Sequence, residues 1–441
     1  MNIKAVPVML SKMKIITFAF AILPGLLAML FITASDFSSA GALLNVMGRL
    51  IGIWGLALLL VAAILCCRVP GFDQPFGGLT KLWKLHHLLG AIGFLLILIH
   101  PLLLAFAAAE LSLNTAVNTL FSSQASVLWG WVALIALMLF MAPTFAFFGR
   151  PDYQRWKWMH KLSGVTVVFA LVHTLMLSRT LPGLWGNLVW GLMALMALSA
   201  IGYRWIFSRW RGRLPYKVTE ITHPANNVIE LTLQPQRTHL KYQPGQFVYL
   251  TPFCPELASG HNEEHPYTLS SSPCEPSLRI AIKALGDSSR ALQNLAINTS
   301  VGVEGPYGRF FDPQSSPEQA ELWIAGGIGI TPFLARLRHH ARLSRDVNVH
   351  LIYCVQDEGR LVFGDEIEQL CSTISGLCFT PHFFYRQGPL NSGFIQQHCP
   401  DFAHRNAYIC GPVPLIDSSR RILTDAAVPL SRITTEEFVL L

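Results

Sequence analysis

Long apolar runs fill the first half of the chain and stop near residue 207; from Arg209 onward the hydrophobic positions come in short clusters broken by Pro and Gly. Six mostly apolar windows lie near 13–34, 43–66, 82–107, 126–148, 159–180 and 184–207. About 20 residues rising 1.5 Å each cross a hydrocarbon core of about 30 Å, so each window predicts a transmembrane helix. The first follows Lys12 and Lys14 and precedes Ser38-Ser39-Ala40, the flanks of a secretory signal. Its apolar run is longer than a signal's apolar core, so it reads as a span.

The second half changes period twice. Tyr216–Thr222, Val228–Leu233, Gln246–Leu250 and Leu278–Lys283 are short alternating runs, which predicts a small antiparallel barrel. After about residue 318, strand-like runs at Leu322–Ala325, His350–Cys354, Phe379–Tyr385 and Ala407–Cys410 alternate with helix-like segments from Pro332 and near 364–372. That alternation predicts a parallel sheet with helices on both faces. The expected fold is a multi-domain membrane protein: a six-helix all-α bundle over 1–212, an antiparallel β-barrel over 213–317 and an α/β parallel-sheet domain over 318–441.

Composition sharpens this picture. With 441 residues, 52% hydrophobic and 13% charged, the chain is too apolar for an ordinary soluble enzyme. Lys12, Lys14, Arg68, Lys81, Lys84, Arg150, Arg155, Lys157, Lys161, Arg204, Arg209, Arg211 and Arg213 fall on one side of the predicted helices, whereas the other side has little beyond Arg49 and Arg179. Positive charge stays inside, so both termini and the second half are expected in the cytoplasm, with the helices in a bacterial inner (plasma) membrane. The formal charge of +7 is largely this flanking charge. No basic patch interleaved with aromatics suggests nucleic acid. The nine cysteines form neither a C-x2-C pair nor a C-x4-C-x2-C run, which argues against an iron–sulfur cluster, and they read as reduced, packed thiols.

Ionisable or metal-binding side chains inside membrane spans are functional candidates from the start. The third window carries His86, His87 and His100; the fifth carries His160 and His173. His86-His-Leu-Leu-Gly90 and His160-Lys-Leu-Ser-Gly164 share the pattern H-x-x-x-G, each followed by a second histidine. Fourteen residues return to within about 40° of one helix face after about 21 Å, which suits two stacked sites. The spacing from His160 to His173 leaves an offset near 140° in an ideal helix, which a local irregularity would have to absorb. Two imidazole pairs at two depths, His86 with His160 and His100 with His173, are what two bis-histidine haems require, with His87 an alternative to His86.

Four motifs in the second half carry chemistry. His265-Pro266-Tyr267-Thr268 offers an aromatic ring and a hydroxyl on one extended segment. Lys283-Ala-Leu-Gly286-Asp-Ser288-Ser289 puts a glycine and hydroxyls just after a strand. Gly326-Gly327-Ile-Gly329-Ile-Thr331-Pro332 is a glycine turn into a proline-started helix, where a dinucleotide phosphate can sit. Cys410-Gly411-Pro412 ends a later strand at the carboxyl edge of the same sheet.

Together these residues resemble the ferric reductase and NADPH oxidase superfamily of transmembrane flavocytochromes, whose soluble half is similar to ferredoxin-NADP reductase. The likeness runs over nearly the whole chain: six helices, the histidine pairs, H-P-Y-T, G-P-Y-G at Gly305–Gly308, the glycine turn and C-G-P. The resemblance implies FAD, two haem b groups and NADPH or NADH as cofactors. It implies that His265, Pro266, Tyr267 and Thr268 hold the flavin ring and ribityl chain, while Gly286, Ser288 and Ser289 help hold its pyrophosphate. Gly326, Gly327, Gly329, Thr331 and Pro332 would bind the nucleotide pyrophosphate, with Cys410, Gly411 and Pro412 near its nicotinamide and Phe438 over the flavin. Many relatives that prefer NADPH have an arginine where Gln356 stands, and Arg360 and Arg386 are the alternatives nearby, so the donor is open here. The expected activity is transfer of electrons from cytoplasmic NAD(P)H to an outer acceptor, dioxygen or a ferric chelate. The rival readings are a donor to quinone or a periplasmic redox protein, and a metal or proton transporter or sensor with a regulatory reductase domain. The oligomeric state is not legible.

Overall fold

The computed structural model describes residues 5–144, 153–177, 181, 183–210, 212–312 and 319–437. The chain forms two compact units: Met1–Arg68 with Thr80–Phe207, and Val69–Leu79 with Ser208–Leu441.

The first unit is helical: α1 (Ala5–Met29), α2 (Ala40–Leu65), α3 (Leu79–Ala109), α4 (Leu113–Leu120), α5 (Ala125–Met141), α6 (Tyr153–Met159), α7 (Leu162–Leu177) and α8 (Gly183–Gly202). Among the described residues six helical stretches are long and apolar enough to cross a membrane, one in each expected window. Side chains such as Leu95, Phe106 and Leu192 stand outward and more than half exposed, as lipid-facing residues do. Helices α2 and α3 approach backbone to backbone: a Cβ on Gly55 would lie 2.8 Å from Ile97 and 3.3 Å from the Gly93 carbonyl oxygen.

The fifth window is not one helix. His160 and Lys161 separate α6 from α7, and there the N–H groups of Lys161, Ser163 and Gly164 donate to the carbonyls of Trp158, His160 and Lys161, three residues back, at 3.1–3.2 Å. A 3₁₀ step turns about 120° per residue rather than 100°, so the break absorbs part of the awkward offset between His160 and His173.

In the second unit, β1 (Leu214–Ala225), β2 (Val228–Pro235), β3 (Phe247–Pro252), β4 (His265–Thr268), β5 (Leu278–Lys283) and β6 (Ser300–Tyr307) pair antiparallel in the order β4-β3-β6-β1-β2-β5. The edges meet in a bridge between Leu269 and Ile280, curling the sheet around Val218, Leu231, Leu250, Ile280 and Val303. A parallel sheet follows: β7 (Glu321–Gly326), β8 (Val349–Val355), β9 (Leu377–Phe383), β10 (Asn406–Gly411) and β11 (Ile433–Glu437), in the order β11-β10-β7-β8-β9. Residues alternate between two cores, one containing Trp323, Leu351 and Tyr408, the other Ile324, Ile352 and Ile409, as a sheet covered on both faces requires.

Two strands had no sequence signal. β6 is interrupted by Gly302 and Gly305-Pro306, and β11 is Ile-Thr-Thr-Glu-Glu, apolar at a single position. The third strand of the parallel sheet ends at Phe383, two residues earlier than expected, because Phe384–Gln387 turns into a short helix.

Candidate active site

In the first unit the histidines meet in pairs. The rings of His86 on α3 and His160 at the α6–α7 break have centroids 6.2 Å apart, and those of His100 on α3 and His173 on α7 are 6.4 Å apart. His87 lies beside His86, centroids 5.5 Å apart. Among the described residues no cluster of three or more His, Cys, Asp or Glu side chains is placed to hold a metal ion.

One nitrogen of three of these rings is already engaged. Nδ1 of His86 lies 2.7 Å from the Ala62 carbonyl oxygen, Nδ1 of His100 lies 2.7 Å from that of Gly48, and Nδ1 of His173 lies 2.6 Å from that of Ser126. A carbonyl can only accept, so each Nδ1 carries the proton and Nε2 keeps its lone pair. That is the orientation of a metal-ligating imidazole held by an outer hydrogen bond. Nδ1 of His160 is buried without a hydrogen-bond partner among the described residues.

Two glycines admit the rings. A Cβ on Gly52 would come within 2.5 Å of His100 Nδ1, and one on Gly130 within 2.7 Å of His173 Nδ1. Each glycine follows its ring's carbonyl acceptor by one helical turn, Gly48 then Gly52 on α2 and Ser126 then Gly130 on α5. The small-xxx-small spacing was the available signal for both. The glycines within H-x-x-x-G are less confined: nothing lies within 4 Å of a Cβ on Gly90, and Ile201 alone, at 3.9 Å, approaches one on Gly164.

His100, His173, Gly52, Gly130, Arg49 and Trp190 help line a cavity of about 850 Å³. The Arg49 guanidinium pairs with Asp36 at 2.6 Å. Arg150, Arg179 and Arg211 lie outside the described residues. With metal–imidazole bonds of about 2.0 Å and about 1.1 Å from nitrogen to ring centre, two imidazoles sharing one iron would have centroids up to about 6.2 Å apart. Both pairs lie close to this separation, so the residues fit a bis-histidine haem at each site.

In the second unit, a carboxylate that no motif named joins the two segments expected at the flavin. Glu263 Oε2 lies 3.2 Å from His265 Nε2 and accepts from the Ser288 hydroxyl at 3.0 Å. His265, Pro266, Tyr267 and Thr268 form β4, where burial raises the Tyr267 phenol above its ordinary pKa. The Ser289 hydroxyl accepts from the N–H groups of Leu285 and Gly286 at 2.9 Å and shapes the turn that begins at Gly286. The G-P-Y-G segment is held from a distance: the Gly308 N–H donates to Asp73 at 2.9 Å, and Asp73 is buried. Burial raises the Asp73 pKa, and the bond from Gly308 opposes that rise.

The glycine turn runs from β7 through a 3₁₀ turn (Gly327–Ile330) into the helix Thr331–Arg342, with Pro332 in its first turn. Here glycine is obligatory: a Cβ on Gly329 would sit 2.4 Å from the Cys410 carbonyl oxygen, and Gly327 has φ +55°. Gly411 packs against Gly326, where a Cβ would be 3.0 Å from its Cα, and Pro412 follows at the end of β10. The Cys410 side chain is fully buried in the core, and burial, reinforced by the Glu436 charge, pushes its thiol well above the ordinary pKa. It is a neutral thiol at physiological pH. Phe438 lies outside the described residues, just beyond β11.

Residues 51–172 match the family described as ferric reductase like transmembrane component, residues 213–311 an FAD-binding domain, and residues 323–421 an oxidoreductase NAD-binding domain. The chain is similar to the glycine betaine monooxygenase reductase subunit of Chromohalobacter salexigens (27% identity, 45% of this chain and 56% of that one). It is also similar to the stachydrine N-demethylase reductase subunit of Rhizobium meliloti (29% identity, 52% of this chain and 68% of that one). The match thus spans little more than half of the first relative's length. The FAD/NAD-binding domain of nitric oxide dioxygenase from Vibrio cholerae aligns at 25% identity and TM-score 0.46, over 52% of this chain and 99% of that one. The chain thus joins a ferric reductase like transmembrane domain to FAD- and NAD-binding domains, with six helical stretches able to cross a membrane among the described residues. It has the ferric reductase/NADPH oxidase-like architecture, with a ferredoxin-NADP reductase-like half.

Proposed function

We propose that this protein draws electrons from cytoplasmic NAD(P)H through FAD and delivers them across the membrane over two b-type haems to an acceptor on the outer face, dioxygen or a ferric chelate. The observation that carries this reading is the pair of imidazole sites, each spaced for one iron. When bound, FAD turns a two-electron hydride into single electrons and bis-histidine haems carry those one at a time.

The chain's own residues divide the remaining work. His86 and His160 would be the ligands nearer the cytoplasmic ends of the spans, His100 and His173 those toward the outer face. The carbonyls of Ala62, Gly48 and Ser126 fix three of the rings by holding the Nδ1 proton, which would leave the Nε2 lone pair free to hold an iron. Gly326, Gly327, Gly329 and Thr331 present backbone N–H groups to the nucleotide pyrophosphate, and Pro332, which has no N–H of its own, opens the helix whose N-terminus faces it. Gly411 and Pro412 leave room for the nicotinamide, while buried Cys410 stays protonated beside them. His265, Pro266, Tyr267 and Thr268 line the flavin, with Gly286, Ser288 and Ser289 at its pyrophosphate and Phe438 over its ring.

A second reading makes the acceptor a protein or a quinone; the names of the relatives, reductase subunits of a monooxygenase and of a demethylase, favour a protein. An anaerobic visible spectrum of detergent-purified protein with FAD, before and after NADH or NADPH, tests the proposal. The expected result is a growing set of sharp low-spin b-type haem bands. A flavin that bleaches with no haem band refutes the transmembrane path, and reduction of ferric chelate without superoxide in air removes dioxygen as the acceptor.

A further inference from the structure

The carboxyl edge of the parallel sheet orders the ends of β7, β8 and β9. Gly326 of β7 pairs with Cys354 of β8, and Val355 of β8 pairs with Phe383 of β9. The Tyr353 hydroxyl donates to the Gly327 carbonyl at 2.9 Å, and the Tyr385 N–H donates to the Gln356 carbonyl at 3.0 Å. The loop Gln356–Arg360 and the segment Phe384–Arg386 therefore lie side by side, one and two strands beyond the glycine turn. At about 4.8 Å per strand, a dinucleotide with its pyrophosphate on that turn and its nicotinamide toward β10 lays its adenosine over this pair of segments. Phe384 and Tyr385 offer exposed aromatic faces there, 49% and 68% accessible.

The charges at this place decide which nucleotide fits. Arg386 is ion-paired with Glu358, and Arg360 Nε lies 3.6 Å from Asp357 Oδ2. Two carboxylates and two guanidiniums sum to zero. A 2′-phosphate brings about two negative charges and needs guanidinium in excess. To bind it, each arginine would have to leave its carboxylate, and the phosphate would then face two bare carboxylates. A ribose 2′-hydroxyl instead donates to a carboxylate at the end of the second strand, the arrangement that selects NAD in doubly wound folds. The pairs are exposed and individually weak, so the selection comes from net charge rather than from the strength of either bridge.

We infer that the donor is NADH, selected against NADPH by Asp357 and Glu358. This rests on the reading of the chain as a nucleotide-driven reductase, and the test separates the two. Anaerobic flavin bleaching by full-length, FAD-loaded protein is timed across NADH and NADPH concentrations. Wild type is expected to favour NADH by about tenfold or more in bleaching rate per unit of half-saturating nucleotide concentration, and the Asp357→Asn, Glu358→Gln double variant to gain about tenfold toward NADPH while losing efficiency with NADH. Preference of the wild type for NADPH, or an unchanged preference in the variant, overturns the inference and leaves the reductase reading standing. Failure of both nucleotides to bleach bound flavin overturns both.

Discussion

His86, His100 and His173 in the first unit each engage one ring nitrogen with a backbone carbonyl and keep the other, whereas Arg338 in the second unit uses every donor it has. Its five N–H groups match five hydrogen bonds: two to Glu366, two to Glu230 and one to the Ser270 carbonyl, at 2.6–3.4 Å. Both kinds of group sit away from water, so both need partners. The difference is what remains. A fully paired guanidinium joins the barrel, at Glu230 on β2, to the helix that follows the glycine turn and does nothing further. A half-paired imidazole in an apolar bundle has a lone pair left for a ligand.

The contrast can be broken in three places. Replacing His100 or His173 with Leu is expected to have the largest effect, removing one haem of two and leaving the His86–His160 pair loaded. The check is the haem-to-protein ratio of purified protein, and an unchanged ratio would mean that the half-paired ring is not a ligand.

Next comes Arg338→Leu, which strands Glu230 in the interior and should destabilise the protein by about 3–5 kcal/mol in thermal or denaturant unfolding. Burial pushes the Glu230 pKa up, but Arg338, Ser270 and Arg279 outweigh it and hold the carboxyl below its ordinary value. Its contribution is therefore present above the unfolded pKa of about 4.3 and lost as pH falls through the lower folded value. Without Arg338 the sign should reverse, with stability falling as pH rises past the ordinary carboxylate range. A variant with the wild-type pH profile would show that the network does not hold Glu230 ionised.

The smallest effect sharpens the comparison within the membrane unit. Gly52→Ala should force the His100 ring aside, costing about 1–3 kcal/mol and altering the low-spin spectrum of one haem. Gly90→Ala meets no protein atom within 4 Å and should leave the His100 ring and its spectrum unchanged. Equal spectra for the two variants would remove Gly52 from the histidine's support.

Features encoded over a few turns of chain were legible in the residues. Apolar runs of membrane length marked six helices, because a span must present a hydrophobic surface over its whole length. Helical period placed His86 and His100 on one face, and the β7 glycine turn was readable because strand, turn and helix follow one another within a dozen residues. The chemistry of the sites was therefore proposed from side chains and turns that carry their own local pattern.

Tertiary structure alone decided the partners. It set His86 rather than His87 against His160, gave His100 and His173 their carbonyls and glycines on α2 and α5, and linked His265 to Ser288 through Glu263. It also brought Asp73 to Gly308 across 235 residues and paired Arg386 with Glu358. A hydrogen bond between residues far apart in the chain leaves no period and no motif in either segment. The sequence by itself determined which groups must be buried and on which face; only the folded chain determined what each of them meets there, and hence which are satisfied and which still hold a free lone pair.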